Sequence, residues 1–152
     1  MEAVRDFILG YRIWEVRDGK LHSLAVKRDE PWNAGINLAE CSIKSSPPPH
    51  EAESLHHCGF NAFASVDKAF IYYKDYKRMF YADEFIYGAV AGAGKIYIHD
   101  KLGFRAEQMQ ILGLATPFLH RELSYNVEDA IERYRLPVFE KRKELSAWAE
   151  SL

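Results

Sequence analysis

The segment FILGYRIWEVRDGKLHSLAV, residues 7–26, decides the fold class. Its first half is rich in β-branched and aromatic side chains, which suit a pleated, half-buried surface, and it reads as a strand over Gly10 to Val16. Arg17-Asp18-Gly19-Lys20 follows. Asp-Gly between two apolar runs is the strongest short-range hairpin signal, so Lys20 to Val26 reads as the partner strand. Alternation along the first strand puts Tyr11 and Ile13 on one face and Arg12, Trp14 and Val16 on the other. Trp14 is assigned to the core, where large aromatics bury most of their area.

Beyond this hairpin, Lys27 to Gly35 is a polar loop containing Pro31 and Trp32. A Trp in such a loop either plugs the end of a sheet, the commoner case, or lies over a ligand. Ile36 to Ile43 alternates loosely and reads as a strand, and Cys58 to Phe63 is a short apolar stretch. Ser65 caps a helix over Val66 to Tyr76, with Val66, Ala69, Phe70 and Tyr73 at helical spacing. Glu84 to Gly92 and Lys95 to Asp100 read as a second hairpin, joined through Ala93-Gly94, and Gly103 to Leu112 as a further strand. Gly113 to Glu122 is read as an irregular connection. Asn126 is the expected cap of a helix over Val127 to Tyr134. Pro137 then breaks the chain before a helix over Val138 to Leu152 with Leu145 and Trp148 on its apolar stripe. The order predicts an α+β fold with a curved, mostly antiparallel sheet of about five to six strands, one central helix and C-terminal helices. It is read as one domain, core about 7–120 and helical segment about 124–152.

Composition removes several function classes. The chain has 152 residues, 48% apolar and 14% aromatic, which argues against disorder. A net charge of −2 gives no electrostatic footprint for DNA or RNA, so nucleic acid is not the expected partner. The apolar run from Phe85 to Ala93 is far shorter than the roughly 20 residues that span a bilayer, and no membrane association is expected. Glu2 and Asp6 stand where a secretory signal needs a basic start and an apolar core, so the expected compartment is the cytoplasm. Two cysteines there are thiols or ligands rather than a disulfide. Gly88, Gly92 and Gly94 fit neither a Walker A loop nor a dinucleotide fingerprint.

Chemistry-bearing residues concentrate in CSIKSSPPPHEAESLHHCGFNAF, residues 41–63, which holds both cysteines and His50, His56 and His57. Cys41, His50, Cys58 and one of the two adjacent histidines form a Cys₂His₂ set that zinc would accept as a tetrahedron, although the spacing is not that of a zinc finger. A loop stiffened by Pro47-Pro48-Pro49 between two strands must return to the sheet edge it left, so these four residues are expected to converge. A second reading makes Cys58 a nucleophile with Glu51 nearby. His57 is its neighbour in the chain and would face away on a strand, so the base would be His50 or His99. A third gives the loop a catalytic metal with Glu51 as base. The plainest reading leaves Cys41 and Cys58 as small buried residues at strand ends. Elsewhere, Trp14, Trp32, Tyr72, Arg105 and Glu107 are candidates to contact a ligand, and Arg105 and Glu107, two apart on a strand, share a face and are expected to pair with each other or with backbone.

Three separated segments carry a resemblance. GYRIW at 10–14 with the Asp-Gly hairpin leads into W-x-x-G-x-x-x-A-x-C ending at Cys41; HEA at 50–52 is followed by HHCGFNAF at 56–63; GFRAEQMQILGL spans 103–114. ERYRLPV at 132–138 is a weaker echo. Together they resemble a group of short, uncharacterised bacterial and phage-type proteins with no known activity. In that pattern the second segment is similar to C-x-C-G, so His56 stands where a cysteine would. The resemblance implies that Cys41, His50, His56 and Cys58 correspond to a Cys-His-Cys-Cys set, which selects His56 over His57 and keeps zinc as the implied cofactor. The expectation is a small binding or accessory domain, monomer or homodimer, whose partner is a small molecule or protein and whose 41–58 loop holds structural zinc. The alternative is an enzyme using Cys58 with His50 or His57 and Glu51, or a catalytic metal in the same loop.

Overall fold

The computed structural model describes residues 7–23, 30–40, 48–50, 58–79, 84–116 and 124–152. In order, the elements are β1 (Ile8–Arg17), β2 (Lys20–Ser23), β3 (Ile36–Leu38), β4 (Phe60–Phe63), α1 (Val66–Met79), β5 (Phe85–His99), β6 (Gly103–Ala115), α2 (Tyr125–Tyr134), β7 (Val138–Phe139) and α3 (Arg142–Glu150). The fold is α+β; among the described residues there is one seven-stranded sheet, in which only β6 and β7 pair in parallel.

The first hairpin forms where its turn residues require. Asp18 and Gly19 have φ of 51° and 69°, the two positive values of a type I′ turn, and Arg17 pairs with Lys20 across it. A Cβ on Gly19 would lie 2.9 Å from Asp129 Cβ as well as in a left-handed conformation. Gly19→Val is therefore expected to cost about 2 kcal/mol, since a β-branched residue resists positive φ. A thermal midpoint within a degree of wild type would remove this account of the turn.

The second expected hairpin is corrected. Phe85 to His99 is one strand, and the reversal comes at Asp100 to Leu102. Gly94 does adopt positive φ, 76°, but within a bulge between Ala93 and Ile96; the Glu107 carboxylate accepts the Lys95 N–H there at 3.0 Å, and pairing with β6 resumes. A glycine read as a turn is a bend in a continuous strand. Smaller corrections are also local. The α2 cap is Ser124, whose Oγ accepts from Val127 N at 3.2 Å, rather than Asn126. The expected helix from Val138 begins only at Arg142, because Val138 and Phe139 are drawn into the sheet beside Leu114 and Ala115. β6 likewise runs on to Ala115, past the expected end at Leu112, and β3 stops at Leu38. Ser65 caps α1 as expected, accepting from Lys68 N.

β6 is the spine of the sheet. One edge pairs with β5 along its length, and the other meets β4, β3 and β7 in turn. β1 pairs with β5 on one edge, and on the other with β4 at Tyr11 and with β2 from Trp14 onward. The path β1, β5, β6, β4 thus returns to β1 and closes a small ring. Its inner face holds Trp14, Val16, Ala62, Ile86, Val90, Phe104 and Ala106 and is covered by α2 through Val127, Ala130 and Tyr134. Its outer face holds Tyr11, Ile13, Phe85, Tyr87 and Ala89 and packs on Val66 and Ala69 of α1 and Leu145 and Ala149 of α3. The faces follow the alternation read from β1. Each fully buried large side chain contributes about 1.5–3 kcal/mol, so two cores on one sheet make the ring the stable unit of the chain.

Candidate functional site

Cys58 and Gly59 lie just before β4, and His50 ends the proline run that precedes them in the chain. A Cβ on Gly59 would sit 3.0 Å from Pro49 Cβ, so the glycine lets the proline segment pack directly against the start of β4. That contact returns His50 to Cys58. His50 Nδ1 is 3.0 Å from Cys58 Sγ, and the His50 backbone N–H donates to the same sulfur at 3.2 Å. Two ligands of one tetrahedral zinc would stand about 3.5 Å apart, from Zn–S near 2.3 Å and Zn–N near 2.0–2.1 Å, so a 3.0 Å separation is a direct contact between thiol and imidazole.

Beneath the pair lies Arg105, 1% exposed. Its place follows from the ladder: Phe104 and Ala106 face the inner core, and Arg105, opposite Tyr97 on β5 and Asn61 on β4, faces the other way. Nη1 donates to Cys58 O at 2.9 Å, Nη2 to His50 O at 2.9 Å, and Nε to His99 Nε2 at 2.8 Å. The guanidinium also stacks 5.5 Å from the Tyr97 ring centroid. Since Nε can only donate, His99 accepts at Nε2 and carries its proton on Nδ1. One rigid fork therefore brackets both carbonyls of the thiol–imidazole pair. Among the described residues Arg105 makes no ion pair, and its charge is met by neutral acceptors and a ring face.

This arrangement can hold a thiolate. The His50 backbone N–H donates to the sulfur and Nδ1 lies within hydrogen-bond distance of it, so an unprotonated Nδ1 could take the thiol proton and leave a thiolate beside an imidazolium. His50 is 5% exposed whereas Cys58 is half-buried, so the sulfur is the member of the pair that solvent and reagents reach.

Of the residues singled out in the sequence, the structure brings His50, Cys58, Arg105 and His99 together. Cys41, Glu51, His56 and His57 lie outside the described residues. Among the described residues, no three His, Cys, Asp or Glu side chains gather to hold a metal. Glu107 is separate from Arg105: both take backbone partners, Glu107 at the β5 bulge. Trp14 is fully buried, and Trp32, 6% exposed, plugs the sheet end against Trp14 and Phe60 at centroid distances of 5.4 and 4.6 Å. Tyr134 of α2 fixes that plug, donating to Trp32 O at 2.6 Å and accepting from Leu21 N at 3.0 Å. Tyr72 stands on Phe63 at 5.2 Å and keeps an exposed edge.

The residue missed in the sequence is Arg12. It lies 4.5 Å from the Trp32 ring centroid and 5.9 Å from that of Trp14. The signal was present: a cation shared its strand face with Trp14 and Val16, a core face. No helix among the described residues is long and apolar enough to cross a membrane. Comparisons of the chain with protein-family models, with curated proteins and with solved structures find no match.

Proposed function

We infer that the domain performs thiol chemistry, with Cys58 as nucleophile and His50 as the base that takes its proton. The observation that carries this reading is the 3.0 Å contact between Cys58 Sγ and His50 Nδ1, made on a partly exposed sulfur. The substrate is an electrophilic small molecule or an exposed electrophilic group on a protein. His50 N–H stabilises the sulfur anion, and Arg105 fixes the distance between the two reacting side chains.

Iodoacetamide tests this directly, because the thiolate forms a carbon–sulfur bond as iodide leaves. With Cys41→Ser in the background, so that only Cys58 reports, His50→Gln is expected to slow alkylation at neutral pH by about tenfold, below the 10²–10⁴ span of general-base effects. Equal rates in the two proteins would sink the assignment.

A second reading rests on the same convergence. His50 and Cys58, two of the four residues of the zinc set, already meet at one point, and Cys41 with His56 would complete a structural site. Bound zinc would then supply folding free energy to an accessory domain. Native mass spectrometry separates the two: one bound zinc, lost in Cys41→Ser, with Cys58 protected from alkylation, selects the metal.

A further inference from the structure

Between Tyr11, which pairs with Phe63, and Trp14, which pairs with Ser23, the edge of β1 changes partner from β4 to β2. Arg12 reaches out through this break. Its Nη1 donates to Asn61 O at 2.6 Å and its Nη2 to Ser23 Oγ at 3.1 Å, while Ser23 Oγ also accepts Trp32 Nε1 at 2.7 Å. The guanidinium is thus oriented twice, by a flat ring beneath it and by two fixed acceptors.

Among the described residues it has no counter-charge: no carboxylate pairs with Arg12, and its buried Nε meets no acceptor. The fully buried Trp14 Nε1 beside it meets none either among the described residues. Buried donors without acceptors are rare in native proteins, and leaving one unmet is destabilising. Burial lowers the Arg12 pKa to about 10, the nearby Tyr72 phenol opposing that shift, so the group stays charged at neutral pH. A cation kept at such cost, half-buried and lying on a Trp face, has the form of a recognition group rather than a core filler.

We propose that this break in the sheet edge is a binding site for a small-molecule carboxylate, which takes the remaining N–H groups of Arg12 above Trp32 with Tyr72 at its rim. A planar fork and a carboxylate match in a two-bond geometry. The site involves none of the Cys58 machinery and stands whether or not the thiol reading does.

Tryptophan fluorescence of the full-length protein, titrated with acetate and with benzoate at constant ionic strength, reads the site through Trp14 and Trp32. A saturable change is expected, tighter for benzoate, whose ring adds stacking. Arg12→Met should weaken it at least tenfold while the thermal midpoint holds or rises. Ser23→Ala, which removes the acceptor shared by Arg12 and Trp32, should weaken it severalfold and decides the matter should Arg12→Met fail to fold. No saturation with either carboxylate, or equal affinity in the variants, overturns the site. Tighter binding of inorganic phosphate than of both carboxylates overturns the ligand class.

Discussion

Gly103→Ala is expected to cost about 3 kcal/mol or more, at the top of the range for overpacking, and to lower the thermal midpoint by about 10 °C. Gly103 opens β6 and pairs with His99 on one side and Phe63 on the other. A Cβ there would lie 2.0 Å from Ala62 O, 2.9 Å from Phe63 Cα and 3.0 Å from the Ala62 carbonyl carbon. All three contacts are backbone. Gly88 differs in kind, since a Cβ there first meets the ring of the buried Trp14 at 2.3 Å and only then a backbone atom, Gly113 O, at 3.0 Å. At Gly103 relief requires β4 to part from β6, and β4 both closes the ring and follows directly from Cys58. The variant should therefore lose fold stability and Cys58 reactivity together. Circular dichroism against temperature checks the first effect, and a midpoint within two or three degrees of wild type would show that β4 is not held as described.

The sequence announced those parts of this structure that rest on local rules. The Asp18-Gly19 hairpin, the split of Tyr11 and Ile13 from Trp14 and Val16, the Ser65 cap and the β6 strand all follow from turn chemistry or period-two alternation, and each is present. The errors arose where one residue type serves two structures. Gly94 supplies positive φ equally to a turn and to a bulge, and only pairing with Glu107 and β6 tells them apart. Val138 and Phe139 continue a helical pattern but are captured by the free edge of β6, a long-range contact that periodicity does not encode. The site was half legible. Chemistry singles out His50, Cys58 and His99 as an imidazole and thiol set, whereas for Arg105, the group that organises them, strand spacing gives only a face shared with Glu107 and a partner in Glu107 or the backbone. What hid its role is register: only the pairing of Arg105 with Tyr97 and Asn61 places the guanidinium under the carbonyls of His50 and Cys58.

Arg105→Met gives the largest combined effect expected, a loss of about 3–5 kcal/mol from breaking a buried charged network together with a fall in Cys58 alkylation. Methionine matches much of the arginine stem but donates nothing. The carbonyls of His50 and Cys58 and the Nε2 of His99 then lose their shared donor; the bond to His50 is buried and the other two are part-buried, and a buried acceptor left unmatched costs about 1–3 kcal/mol. The His50 carbonyl belongs to a 5% exposed residue, so water cannot simply take over. Arg105→Lys separates positioning from charge. Its ammonium keeps the positive charge but not the planar fork that spans both carbonyls, so stability should recover in part while alkylation stays slow. His99→Gln is the mild case, because a glutamine oxygen can accept the Arg105 Nε–H, and it should alkylate at close to the wild-type rate. Rates are compared well below each variant's thermal midpoint, so that unfolding does not expose the thiol. Should Arg105→Lys alkylate as fast as wild type, Arg105 supports the fold alone, and the spacing of Cys58 and His50 is set by the packing of Pro49 on Gly59 instead.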